Sequence, residues 1–181
     1  MKIYKPNITL KTIREYEIFI TKKESELLLN IAQSANEEDW FNGNPEDSWY
    51  GKFLLIGNNN VLSGIHSKIQ SIFDSSWKVN KIDRIQRFNY DLPTIGRHSD
   101  EIGHPEIRYG AIVYLNDNYL GGEIVYPDLN IEIKPKAQSL ILHPGGVDHF
   151  VNPIKSKNTR YMLTTFIHHP ELTEWSFNND S

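Results

Sequence analysis

His98 and Asp100 stand two residues apart, on either side of Ser99. On an extended chain such residues point to the same side, so the pair can offer an imidazole and a carboxylate to one metal ion. A His-x-Asp triplet also recurs by chance in surface turns, and it acquires chemical meaning only with a third donor. His149, at an expected strand start after Pro144-Gly145-Gly146, supplies one and completes a face of two histidines and one carboxylate. Such a face leaves coordination positions open. A 2-oxo acid can chelate there through its keto and carboxylate oxygens and still leave room for dioxygen, which a closed four-ligand zinc site does not permit. Arg160, on the next expected strand, adds a guanidinium. An arginine on a strand is ordinarily a surface ion pair. After the third ligand, however, it is placed to grip the far carboxylate of a dicarboxylic cosubstrate through two charge-assisted hydrogen bonds.

Elements must bring these residues together. From about residue 81 the chain runs in short stretches of Ile, Val, Tyr, Leu and Thr broken by Gly, Pro, Asn and Asp, the texture of successive strands and turns. Expected strands are 81–89, 107–115, 122–126, 131–134, 139–143, 149–152 and 159–168. Upstream, Thr21-Lys22-Lys23-Glu24 has capping-box spacing, followed by Leu27, Leu28, Ile31 and Ala35, which predicts a helix over 22–34. A second helix is expected where Val61, Ile65, Ile69, Ile72 and Phe73 form one stripe after the Gly57-Asn58-Asn59-Asn60 break. Residues 39–51, rich in Trp, Asn, Gly and Pro, read as an aromatic loop. The expected class is mainly β with flanking helices (α+β): one domain over 1–181, helical to about 80 and a β-sandwich or barrel over about 81–169.

Composition narrows the chemistry. With no cysteine among 181 residues, disulfides, thiolate metal sites and cysteine nucleophiles are excluded, and any metal must use histidine and carboxylate. A net charge of -4 without a run of Lys and Arg argues against a general grip on nucleic acid or anionic membrane. No apolar segment approaches the roughly 20 residues of a membrane span, and the N-terminus lacks a signal-peptide core. The expected location is the cytoplasm.

Several blocks now fall in a familiar order. His98-Ser99-Asp100 is followed by Arg108 leading into Val113-Tyr114-Leu115-Asn116, then by Gly121-Gly122-Glu123-Ile124-Val125-Tyr126-Pro127. Ile133-Lys134-Pro135-Lys136, Ser139-Leu140-Ile141-Leu142, His149 through Pro153-Ile154, and Arg160-Tyr161 complete the series. This order resembles the prolyl 4-hydroxylase-like branch of the 2-oxoglutarate- and Fe(II)-dependent oxygenases, over about 85–166. The resemblance implies a double-stranded β-helix (jelly-roll) core, ferrous iron on His98, Asp100 and His149, and 2-oxoglutarate as cosubstrate. It further implies hydroxylation of a C–H bond with release of succinate and carbon dioxide, and ascorbate is a candidate reductant. The family also places a tyrosine hydroxyl on the cosubstrate shortly before the first metal histidine. Tyr90, beside Phe88, is the candidate, although its spacing departs from the pattern. Arg160 lies one residue farther from His149 than is usual, which an insertion around Ser156-Lys157-Asn158 accommodates.

The resemblance favours a prolyl residue in a peptide or protein as substrate, with Trp40, Trp49 and Tyr50 as aromatic surfaces for the ring. A free amino acid or other small molecule, its carboxylate on Arg97 or Arg108, is the rival within enzymes. A non-catalytic metal-binding jelly roll is the rival outside them. His66, His104, His143 and His168-His169 lack spaced partners and read as exposed or hydrogen-bonded structural histidines. Gly121-Gly122 reads as a turn rather than a phosphate cradle. Oligomeric state is not legible from the sequence.

Overall fold

A computed structural model describes residues 13–42, 51–90, 95–102, 104 and 106–169. Helix α1 (Lys22–Ser34) begins as its spacing predicts. Thr21 Oγ1 accepts from the Glu24 N–H at 3.2 Å, and the Thr21 N–H donates to Glu24 Oε2 at 2.7 Å. The same Glu24 carboxylate receives Lys68 of helix α2 (Asn60–Gln70) at 2.8 Å, joining the two helices. The buried face of α1 is Ser25, Leu28 and Ala32, whereas Leu27 of the expected stripe is 44% exposed.

Seven strands form the main path of one antiparallel sheet: β1 (Arg14–Tyr16), β9 (Leu140–Pro144), β6 (Ile107–Tyr114), β11 (Arg160–His168), β5 (Arg84–Phe88), β3 (Lys52–Leu55) and β2 (Trp40–Asn42), in that spatial order. An eighth, β4 (Lys78–Val79), pairs with the end of β11. A smaller sheet orders β10 (Phe150–Val151), β7 (Ile124–Tyr126) and β8 (Ile131–Ile133). The stretch before residue 80, expected to be helical, therefore also contributes four strands. Trp40–Asn42 lies in the sheet rather than in a loop; Trp49, Tyr50 and most of the expected aromatic loop fall outside the described residues.

Strand alternation separates two cores. Tyr109, Ala111 and Val113 of β6, Leu140 and Leu142 of β9, and Leu163 and Ile167 of β11 face the helices, where Leu28, Leu62, Ile65 and Ile69 cover them. Burying each of the Leu, Ile and Val side chains among them contributes about 1.5–3 kcal/mol. The opposite positions, Ile112, Tyr114, Ile141 and Met162, share a second cluster with Ile124, Tyr126, Val151 and Ile154 of the smaller sheet and its flank. Strands covered on both faces read as nearly continuous apolar runs, so a polar residue within them stands out. Gly110, His143 and Arg160 occupy such positions and line the space between the sheets.

Candidate active site

His98 and His149 are brought together by the backbone. They form an isolated antiparallel bridge in which the His98 N–H donates to the His149 carbonyl at 3.0 Å and the His149 N–H to the His98 carbonyl at 2.8 Å. Their ring centroids stand 4.4 Å apart. Each ring is oriented by a carbonyl two residues earlier: His98 Nδ1 lies 2.7 Å from the Gly96 oxygen, and His149 Nδ1 lies 3.0 Å from that of Val147. With the Nδ1 protons donated to these carbonyls, Nε2 is the nitrogen of each ring that would bind a metal. They converge on Asp100 Oδ1, at 3.7 Å from His98 Nε2 and 3.8 Å from His149 Nε2. One donor atom from each of the three residues lies within 4.8 Å of the others, and among the described residues no other such group forms.

Tight backbone approach sets this geometry. The Gly145 N–H donates to the Arg108 carbonyl, and Glu101 N–H to the Gly145 carbonyl, so the Asp100 turn is hydrogen-bonded to the turn before His149. A Cβ on Gly145 would stand 2.6 Å from the Ile107 oxygen. Arg97 ties the rims together, with Nε 2.9 Å from Asp148 and Nη2 2.9 Å from Asp128.

Protonation suits a cation. Burial pushes the Asp100 carboxyl upward, but hydrogen bonding and charge from His143, with the imidazoles of His149 and His98, bring it below the usual carboxylate range. Burial, reinforced by the nearby His143, pushes His149 down to about 3. A carboxylate with a neutral imidazole is a metal-binding combination.

Arg160 shares the cavity with the three residues and is 1% exposed. Its guanidinium stacks 4.4 Å from the Phe88 ring centroid, its partner in strand register, and Nη1 donates to the Gly122 carbonyl at 3.2 Å. Nε has no hydrogen-bond partner, and no carboxylate pairs with this arginine among the described residues. Burial lowers its pKa, opposed by Tyr114 and Tyr119. The hydroxyls of Tyr119 and Tyr126 are likewise buried without partners. An uncompensated buried cation among unsatisfied hydroxyls is costly unless an anion enters. The Gly122 carbonyl is presented by the expected turn, since Gly121 and Gly122 adopt φ of 79° and 75°. Phe166 lines the same cavity.

The remaining candidates separate. Tyr90 is 61% exposed and is not brought to the cavity, while Tyr114 lines it from β6. Arg97 is engaged by two aspartates, and Arg108 is buried. Nε2 of His66 contacts the Val79 carbonyl and His169 packs on Trp77, as structural histidines do, and His104 is exposed beside Glu106. His143 is different: it is buried against Asp100, a contact that the register of β9 against β6 sets and no local sequence pattern encodes.

Residues 85–168 match the 2OG-Fe(II) oxygenase superfamily. Comparison with curated protein sequences gives no match. Among solved structures, the chain is similar to a viral collagen prolyl hydroxylase from Paramecium Bursaria Chlorella virus-1 in its 2OG complex. That similarity has a TM-score of 0.67 at 18% identity and covers 87% of this chain and 96% of that one. A Pseudomonas putida prolyl-4-hydroxylase aligns with a TM-score of 0.66 at 15% identity, covering 88% and 93% of the two chains. A Trichoplax adhaerens prolyl hydroxylase in complex with a hypoxia inducible factor oxygen degradation domain peptide aligns with a TM-score of 0.68 at 20% identity, covering 90% and 87%. The mainly antiparallel sheets with two helices match the jelly-roll fold of these proteins.

Proposed function

We propose that this chain, whose residues 85–168 match the 2OG-Fe(II) oxygenase superfamily, hydroxylates a prolyl residue in a peptide or protein, with iron on His98, Asp100 and His149. Bound Fe(II) and 2-oxoglutarate supply the oxidising power that places one oxygen of dioxygen on a substrate C–H bond, with release of succinate and carbon dioxide. The observation that carries the reading is Arg160, a fully buried guanidinium without a carboxylate partner among the described residues, in the cavity that the three donors line. Arg160 would hold the far carboxylate of a dicarboxylic 2-oxo acid through two parallel hydrogen bonds, with the 2-oxo end toward His98, Asp100 and His149. Ile112, Ile124 and Met162 keep the intervening wall apolar, which excludes water and strengthens both electrostatic contacts.

A peptide substrate is supported over a free amino acid by two observations. The structural neighbours described above are named as prolyl hydroxylases, one of them with a peptide. Arg97, the exposed one of the two arginines that could take a small carboxylate, is engaged by Asp128 and Asp148. Incubation with Fe(II), 2-oxoglutarate, dioxygen and either proline-containing peptides or free amino acids tests this reading by mass spectrometry. Gain of one oxygen by a peptide prolyl residue supports it; oxygen gained only by free amino acids overturns it.

A further inference from the structure

His143 has no part in the reading above. Alternation along β9 turns it, with Ile141, into the space between the sheets, where it is 1% exposed. Its Nε2 lies 3.2 Å from Asp100 Oδ2. No aligned hydrogen bond reaches Oδ2 or His143 Nδ1 among the described residues, although His143 Nε2 stands within donor reach of Oδ2. The carboxylate is therefore divided, with Oδ1 facing His98 and His149 and Oδ2 facing His143. His143 does not belong to the group of donors close enough to share one ion. Its ring is fixed edge-on by Tyr126 at 5.6 Å and His149 at 4.4 Å.

The strand opposite has made room for this contact. Gly110 is the register partner of His143 in the fully buried β6, and a Cβ there would stand 2.1 Å from His143 Nε2 and 2.3 Å from Asp100 Oδ2. Glycine inside a strand weakens it and commonly marks a close approach. Here the approach is that of the imidazole to the carboxylate.

We propose that His143 is a positioning residue that donates its Nε2–H to Asp100 Oδ2 and so presents Oδ1 alone to the metal. A carboxylate free to turn can chelate an ion with both oxygens; a donor on Oδ2 opposes this and leaves positions for a chelating cosubstrate. The inference rests on the assignment of His98, Asp100 and His149 as ligands.

The test is Co(II) affinity of the full chain without cosubstrate, measured by calorimetric titration and by the visible cobalt absorption. His143→Phe keeps the ring and its aromatic packing but has no donor; His143→Gln has an amide donor but no ring. The Phe variant is expected to bind Co(II) roughly 10–100-fold more weakly than wild type, the range for losing a group that orients a metal ligand, with the Gln variant recovering most of the affinity. If packing alone mattered the order would reverse, so wild-type affinity in the Phe variant with loss in the Gln variant overturns the proposal. Failure of wild type itself to bind Co(II) would instead overturn the ligand assignment on which it rests.

Discussion

Replacing Arg160 with methionine separates two effects that act in opposite directions. The guanidinium is 1% exposed and, among the described residues, has only the Gly122 carbonyl, at 3.2 Å, and the face of Phe88 to offset its desolvation. Taking an ion out of water costs several kcal/mol even after relaxation. The hydrogen bond returns about 1.5–3 kcal/mol and the stacking about 2. Methionine fills much of the volume without the charge, so Arg160→Met without cosubstrate should unfold within about 2 kcal/mol of wild type, or above it. Binding of 2-oxoglutarate should collapse. Two hydrogen bonds to a charged group, at about 1.5–3 kcal/mol each, amount to about 3–6 kcal/mol, or a 10²–10⁴-fold weaker Kd. Denaturant unfolding without ligand and calorimetric titration of 2-oxoglutarate onto the Fe(II) protein under anaerobic conditions measure the two quantities. A variant destabilised by about 3–5 kcal/mol, as when a buried ion pair is broken, with unchanged cosubstrate affinity, would refute the assignment of Arg160 as the anion receptor.

Three further outcomes are expected. His149 sits at about 3 when folded against an ordinary 6.5, so between these values the unfolded chain binds a proton that the folded chain refuses. Metal-free stability therefore falls as pH drops through that window. Its pH slope in His149→Gln should be shallower by up to about 1.4 kcal/mol per pH unit, checked by denaturant unfolding at several pH values; an unchanged slope would contradict the burial argument. Gly121→Ala forces a side chain onto a φ of 79° with its Cβ 2.0 Å from the Pro153 carbonyl, and should cost about 2–6 kcal/mol by the same assay; a neutral result would contradict the turn geometry. Ile65→Ala, at a fully buried position of α2, should cost about 2–5 kcal/mol while leaving Co(II) affinity unchanged in the folded protein; a loss of affinity would mean that the helical layer shapes the site directly.

What could be read from the sequence follows the range of the interactions. The start of α1 was legible because Thr21 and Glu24 form a local motif, and β6, β9 and β11 because each is a long apolar run. His98, Asp100, His149 and Arg160 stand out in the sequence by type and order, and the fold brings all four to one cavity although the two bridged histidines lie 51 residues apart. β1 to β4, of two to four residues, were not: too short for alternation to show, they are strands only because the larger sheet offers them partners. Leu27 matched a helical stripe but falls on the solvent side, because the period alone does not say where the stripe's edge lies. Tyr90 is near His98 in sequence but exposed, whereas the tyrosines around Arg160 are Tyr114 of β6 and Tyr119 of the loop after it. His143 required the register of β9 against β6, which no local pattern encodes.

No helix among the described residues is long and apolar enough to cross a membrane. The buried guanidinium and the convergent donors of the site stand on their own, independent of where the protein resides.

The most direct measurement is anaerobic titration of the protein with Fe(II) and then 2-oxoglutarate, followed through the visible metal-to-ligand charge-transfer band that chelation produces, with Asp100→Ala alongside. A band that saturates at one iron and one cosubstrate per chain in wild type and is lost in the variant is the expected result. Absence of the band in folded wild type, or a band of equal strength in Asp100→Ala, would contradict the assignment of His98, Asp100 and His149 as the iron site.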